Sequence, residues 1–435
     1  MNNSNKPKIG ILTERMTLGY GVDVVIHEQA VRLVQRGYSV TVFTAWKTGF
    51  YDDQPYRIVP LAEECEGIPD FFSLKFLLKA FDIINKHDIE IWIIHTPPFY
   101  FWFHHFRVPV IMVEHGTPPG KYFKYRQGKR LDKQTRKRHR KVFRNLRPGD
   151  GLIAISEYIR SELPADIQKR TKVIYNGADH YSKASQQAID TFRKAADVKS
   201  DETLVVWVGR IQPRKDQQPY KGLGQLLRLG RKIQSEKCPI RLVAVGRGDE
   251  SVEPLLRNAG IIPFLNQSRE SMAAVYAGAD IFLNTSKWEG FNLPLVEAQF
   301  QGTPVIALNV CAHPEVVADG FSGILVNSYA ELLPAIVKLA NDPELRKQLS
   351  IGAVRHAADF SWDSNVDKLE KLIQCSMKVY QSLEPAEPPK LELNKNLKYY
   401  KDYAEYLIFQ FGWKTFVKEC FGWGKRRLPW KKRKI

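Results

Sequence analysis

A chain of 435 residues, 44% apolar and 26% charged, is longer than one hydrophobic core usually serves, so two folded domains are expected and the composition argues against a disordered chain. The net charge of +18 is held locally: residues 121–147 carry thirteen Lys/Arg against Asp132 alone, net +12, and residues 395–435 carry twelve against three acids, net +9, leaving about −3 for everything else. Five scattered cysteines (Cys65, Cys238, Cys311, Cys375 and Cys420) include no C-x-x-C pair, which argues against a disulfide framework or zinc site and for a reducing compartment.

The N-terminal stretch MNNSNKPKIG is polar, without an apolar core of signal-peptide length. Lys8–Leu12 reads as a short buried strand. A loop with Gly19 and Gly21 follows, then an amphipathic helix marked by Val24, Val25, Glu28, Val31, Leu33 and Val34 that ends at Gly37. Val40–Phe43 is the next strand, which makes a βαβ start and implies a parallel sheet. Ile91–Ile94, Val110–Val113, Gly151–Ile155 and Val173–Ile174 continue it. The apolar stretch 89–113 is too interrupted to span a membrane, by His95, Pro97, Pro98, His104, His105 and Arg107, so the expected location is cytoplasmic. The pattern restarts with strand Leu204–Val208, helix Leu223–Ile233, strands Arg241–Val245, Ile281–Leu283 and Pro304–Ile306, and helix Leu293–Gln301. Residues 384–389, EPAEPP, are a linker by composition, and an aromatic, basic tail follows. The expected organisation is α/β: one doubly wound domain over 1–198, a second over 199–375, and linker plus tail over 376–435, with ligand held between the domains.

The sharpest chemical signal is Glu289-Gly290-Phe291-Asn292-Leu293-Pro294-Leu295-Val296-Glu297. Pro294 fits the first turn of a helix, which puts Glu297 about one turn in and Glu289 in the preceding loop. Two carboxylates then approach one ligand from different sides, and the free N–H groups near Phe291 to Leu293 suit a diphosphate. Taken alone, the pair is better explained as acids that complement a helix dipole. Val208-Gly209-Arg210 closes a strand, and Lys221-Gly222 opens the next helix; together Arg210 and Lys221 could neutralise a departing diphosphate, although each alone reads as a solvated cation. Lys215 rivals Lys221, because 216–220 looks inserted. Gly19 and Gly21 permit close backbone approach to a ligand, or merely a turn. His115 ends a strand, a place where a lone His is more often structural. Val245–Ser251 lacks the third glycine of a dinucleotide fingerprint, and no acid follows at the required distance.

These pieces, in this order, resemble the retaining GT-B glycosyltransferases of family four, the group that includes glycogen synthase and bacterial mannosyltransferases. The resemblance covers about residues 8–375. It rests on Gly21 before Gly37–Val42, His115-Gly116, Ala154–Glu157, Asn176–Asp179, Val208–Arg210 with Lys221-Gly222, Val245–Gly248, Glu289–Glu297, Gly302–Ile306 and Pro314-Glu315. It implies two Rossmann-like domains facing across a cleft, a nucleotide diphosphate sugar as donor, no cofactor and no metal. It further implies that Arg210 and Lys221 hold the pyrophosphate, Glu297 the ribose hydroxyls and Glu289 the donor sugar. Backbone N–H groups of Phe291, Asn292 and Leu293 would bind sugar and phosphate, His115 would touch the sugar near the reacting centre, and Gly21 would let its loop close on the phosphates. The family usually has glycine where Asn292 stands, so that side chain is expected to crowd or select the sugar.

Leu131, Val142 and Leu146 give a helix over 126–147 a thin apolar stripe beneath its basic surface. With Lys425–Lys434 and the tail aromatics, this segment is expected to meet an anionic membrane, each cation contributing at most about 1 kcal/mol. That implies a peripheral enzyme whose acceptor is a membrane glycolipid or lipid-linked saccharide. The alternatives are a solvated charged face with the tail packed on domain one, a soluble polysaccharide-building enzyme, a non-catalytic partner subunit, and a nucleic-acid binder. The last would leave the glutamates, Arg210 and His115 without a task, and no nucleic-acid-binding motif is present.

Overall fold

The computed structural model describes residues 6–17, 20–47, 53–62, 74–96, 99–122, 140–211 and 219–383. Gly19, Lys215, most of the first basic segment, the linker, and the tail with Lys425–Lys434 lie outside them.

Strands β1 (Ile9–Met16), β2 (Val40–Lys47), β3 (Arg57–Pro60), β4 (Ile91–Ile94), β5 (Val110–Glu114), β6 (Gly151–Ala154) and β7 (Thr171–Val173) form one sheet in the order β3-β2-β1-β4-β5-β6-β7. Strands β8 (Thr203–Val208), β9 (Ile240–Gly246), β10 (Ile261–Leu265), β11 (Ile281–Leu283), β12 (Val305–Leu308) and β13 (Gly323–Val326) form the other in the order β10-β9-β8-β11-β12-β13. The pairings are parallel, such as Ile9 with both Val40 and Ile91, and Val205 with both Leu242 and Ile281. Helices between the strands include α1 (Gly21–Gln35), α2 (Glu157–Ser161), α3 (Gln186–Ala195), α4 (Leu223–Ser235), α5 (Arg269–Ala277), α6 (Leu293–Gln301), α7 (His313–Val316) and, last, α8 (Trp362–Ser382). The central strands read as continuous apolar runs because helices cover both faces: Ile9, Ile11, Ile93, Val205 and Val243 are fully buried.

Helix α1 ends as its sequence suggests. Gly37 sits at φ +87°, its N–H reaches the Val34 carbonyl at 2.8 Å, and the Tyr38 N–H reaches Leu33 at 3.0 Å, the paired bonds of a glycine-terminated helix. Its start differs from the expected loop: Gly21 is the first helical residue, behind Tyr20. A Cβ on Gly21 would make only ordinary contact with Leu293, at 3.5 Å, so packing does not demand glycine there.

Two helices cross between domains. Phe192 and Ala196, at the end of α3, are buried with Leu204, Val206 and Val243, so the chain joins the second core before the expected limit at 198. Helix α8 returns to the first domain, where Gln29 donates to Asn365 at 2.9 Å and Arg36 and Tyr38 meet Glu370 at 3.2 and 2.9 Å; the expected limit at 375 falls inside it. Among the described residues no helix is long and apolar enough to cross a membrane.

Candidate functional site

Both sheets reverse strand order beside their first strand, at β1/β4 and at β8/β11, and ligands of such sheets sit at the carboxyl ends of those strands. The two switch points face one cavity of about 510 Å³. Gly21, His115, Arg210, Lys221, Glu289, Phe291, Asn292, Leu293 and Glu297 all line it. Residues as far apart in the chain as Gly21 and Glu297, 276 positions, are thereby brought to one place.

The second domain supplies the charged wall. Arg210 follows β8 and lays its guanidinium 4.1 Å from the centre of the Tyr20 ring; burial pushes its pKa below the usual arginine value. Lys221 precedes Gly222, whose φ of +80° and approach to the Thr285 carbonyl (2.1 Å from where a Cβ would stand) exclude any side chain. That turn aims the Lys221 ammonium at Glu289, which accepts it on both oxygens at 2.8 and 2.9 Å. The lysine expected to await a phosphate is therefore paired with the glutamate expected to face the sugar.

Helix α6 begins behind Asn292, which occupies the left-handed region at φ +79°. Among the described residues no acceptor meets the backbone N–H of Phe291, Asn292 or Leu293, the orphan donors of a helix start. The Phe291 ring lies in the core against Tyr175 and Phe360, so only its backbone is offered to the cavity. One turn on, Glu297 accepts the Tyr276 hydroxyl, and its other oxygen lies 3.1 Å from His180 Nε2 without the alignment of a hydrogen bond. A carboxylate has about four acceptor positions, so capacity remains for a ligand hydroxyl.

The first domain supplies a wall of His115, Tyr20 and Arg15. His115, one residue past β5, is half-buried on the cavity wall, and desolvation pushes its pKa down to about 4, so the ring is neutral at pH 7. Its Nε2 lies 3.1 Å from Nδ1 of His95, at the end of β4, and burial holds that ring neutral too. Tyr20 carries a second guanidinium, Arg15, 3.9 Å from its ring, so the phenol sits between two arginines at the cavity mouth. Beneath it Asp23 accepts the Thr17 N–H at 2.7 Å and hydroxyl at 3.0 Å, and burial raises its pKa to about 7.

The walls are clasped. Ser156 donates to the Gly290 carbonyl at 2.6 Å. Glu315, on α7, accepts the first free N–H groups of α2, from Glu157 at 2.7 Å and Tyr158 at 2.6 Å, and the Tyr175 hydroxyl at 3.0 Å. Arg269 of α5 reaches Glu28 of α1 at 2.6 Å. A Cβ on Gly290 would stand 2.4 Å from the His115 carbonyl, so only glycine lets the loops meet this closely.

His95, Arg15, Tyr20, Tyr276 and His180 are not among the residues singled out from sequence. His95 had a usable signal: it directly follows a four-residue apolar strand, as His115 follows another after Glu114. Tyr276 and His180 had none, because only the folded chain places them on Glu297. Among the described residues no group of three or more His, Cys, Asp or Glu has the arrangement of a metal site.

Residues 20–181 match the model for Glycosyltransferase Family 4, and residues 188–356 match that for Glycosyl transferases group 1. A D-inositol 3-phosphate glycosyltransferase of Corynebacterium kroppenstedtii is 31% identical over 215 residues, 46% of this chain and 47% of that one. The chain spans about half the length of the curated relatives it matches. The crystal structure of Anabaena HepE in complex with UDP and glucose superposes with a TM-score of 0.68 at 18% identity, covering 85% of this chain and all of that one. Sucrose-phosphate synthase of Thermosynechococcus elongatus gives 0.69 at 19%, covering 85% and 98%. At such identities the structural likeness establishes the fold, two facing Rossmann-like domains.

Proposed function

Because this chain belongs to the family-four GT-B glycosyltransferases, we propose that it moves a hexose from a nucleotide diphosphate sugar to an acceptor hydroxyl, with retention of configuration and without a metal ion. The observation that carries this reading is the cavity wall itself: Arg210, Lys221 and the unpaired N–H groups at the start of α6 converge opposite a neutral His115. Cations and helix N–H groups fixed in a half-buried cleft stabilise the charge that grows on a departing diphosphate. The bond from the anomeric carbon to the phosphate oxygen breaks, and the acceptor oxygen bonds to that carbon from the same face. The acceptor's proton passes to the leaving phosphate. Neutral His115 contributes a polar, uncharged contact that does not repel a developing oxocarbenium ion. Lys221 must exchange Glu289 for phosphate as donor enters, which frees Glu289 for the sugar. HepE in complex with UDP-glucose supports a donor of that class.

A thermal-shift screen with UDP-, GDP- and ADP-hexoses tests the donor. A ligand at a hundred times its dissociation constant adds about 2.7 kcal/mol of stability, so a true donor gives a shift of several degrees. Flat melting curves for all three series, with no donor hydrolysis, would remove the proposal.

For the acceptor, the basic segments 121–147 and 425–434 favour a lipid or lipid-linked saccharide at an anionic membrane. Flotation with liposomes should recover the protein only when anionic lipid is present; equal recovery in the soluble fraction sinks that acceptor. The names of the curated relatives favour a second reading, a small phosphorylated polyol, which the same screen tests with inositol phosphate as acceptor.

A further inference from the structure

Asn292 is held at both its backbone and its side chain. At φ +79° it pays roughly 1 kcal/mol that glycine would not, and asparagine enters this region more readily than most residues. The direction of its carboxamide follows from the hydrogen bonds behind it. His313 Nδ1 lies 2.7 Å from the Leu308 carbonyl, which can only accept, so Nδ1 carries the ring proton. His313 is fully buried, and burial favours its neutral form. Its Nε2 is then an acceptor, and the group 2.9 Å away on Asn292 is the amide nitrogen. The amide is thus locked with Oδ1 turned away from His313. Among the described residues no donor meets Oδ1, yet it is not one of the polar atoms sealed from solvent, and Asn292 lines the cavity.

We propose that Asn292 determines donor-sugar specificity: its fixed Oδ1 accepts a hydrogen bond from one hydroxyl of the transferred hexose. The proposal rests on the nucleotide-sugar reading above. Oδ1 stands beside the free N–H groups suited to the diphosphate and three residues from Glu289, where a sugar one bond removed from phosphate would lie. An amide oxygen accepts but cannot donate, so it rewards a hydroxyl and nothing else in its reach. A site built to hydrogen-bond a hydroxyl rejects the analogue that turns it elsewhere far more strongly than an apolar wall does.

The test titrates wild type, Asn292→Gly and Asn292→Asp with UDP-, GDP- and ADP-linked glucose, galactose and mannose, the last two each differing from glucose at one carbon. Asn292→Gly is expected to shrink the affinity ratio between the best and second-best hexose at least fivefold. Asn292→Asp keeps an oxygen of the same reach but loses the N–H donated to neutral His313, so with that oxygen no longer fixed it is expected to shrink the ratio as well. Ratios are compared, so a uniform loss of affinity does not count. Should the glycine variant not fold, Asn292→Ser, too short to reach the sugar, gives the same readout. An unchanged ratio in the glycine or serine variant overturns the assignment while leaving the nucleotide-sugar reading intact. If no nucleotide sugar binds wild type, both fall.

Discussion

Lys221→Met removes the ammonium held by both Glu289 oxygens while keeping most of the side-chain stem. The side chains are 32% and 9% exposed, so the pair is neither solvated nor dry. Surface pairs contribute about 0.2–1 kcal/mol and breaking a buried pair costs about 3–5, which puts this loss at about 2 kcal/mol, most of it from a carboxylate left without its cation. In a domain of this size that is a fall of roughly 4–8 °C in melting temperature. Glu289→Gln is expected to cost less, and the double variant to recover much of the loss, because no buried charge is then left unpaired. Ligand binding should order the variants differently. A charge-assisted hydrogen bond from Lys221 to phosphate is worth about 1.5–3 kcal/mol, so Lys221→Met should weaken UDP or GDP about 10- to 150-fold. Glu289→Gln releases the ammonium and should bind the same nucleotide as tightly as wild type or tighter, while losing transfer. Melting curves and calorimetric titration of the three variants suffice. If both single variants weaken the nucleotide alike, or the double variant is as unstable as the sum of the singles, then the ion pair does not wait on phosphate.

Glu315→Ala deletes an acceptor of three cross-domain hydrogen bonds and should cost about 1–3 kcal/mol; small-angle scattering should show a larger ligand-free radius, and unchanged scattering and melting together refute the clasp. His27, lowered to about 4 by burial, takes up a proton in the unfolded chain near 6.5 but not in the fold, so its penalty grows as pH falls from about 6.5 to 4 and reaches about 2 kcal/mol at pH 5. Asp23, raised to about 7, ionises first in the unfolded chain, so its penalty grows as pH rises from about 4 to 7. Relative to wild type, urea melts should show His27→Gln gaining more at pH 5 than at pH 8 and Asp23→Asn the reverse; parallel shifts at both pH values count against the burial argument. Arg210→Ala should cripple both donor binding and turnover, whereas Glu297→Ala should act mainly on binding; normal kinetics in both variants would discredit the site.

How much of this was legible follows from where each element sits. The central strands announce themselves because burial on both faces makes them continuous apolar runs, and Leu293–Gln301 was readable because Pro294 and Gly302 punctuate it. The unread strands, β3, β10 and β13, all lie at sheet edges. There β3 ends in Pro60 and β10 contains Pro263, tolerated because an edge strand has one side with no ladder to serve, while β13 opens on Gly323. The same limit applies to helix α8. Its apolar stripe was present, but nothing in a linear pattern says that a helix following the second domain will lie on the first.

The site divides along the same line. Arg210, Lys221, Glu289 and Glu297 were legible because each stands at the end of a strand or start of a helix in one contiguous half of the chain. What could not be read is how they are occupied: Lys221 by Glu289, Glu297 by Tyr276, Arg210 by Tyr20 from the other domain. The first two partners come from the second domain's own packing, whereas Tyr20 is brought by closure of the two domains, and closure depends on Gly290 meeting His115 and on Glu315 capping α2, contacts separated by 175 and 158 positions in the chain. A ligand that takes Arg210 from Tyr20 therefore works against a contact that already helps hold the cleft shut, so donor affinity is set by the clasp as well as by the groups that touch phosphate. Weakening the clasp at Glu315 and removing the Tyr20 ring should for that reason be non-additive in donor binding, although they lie on different elements.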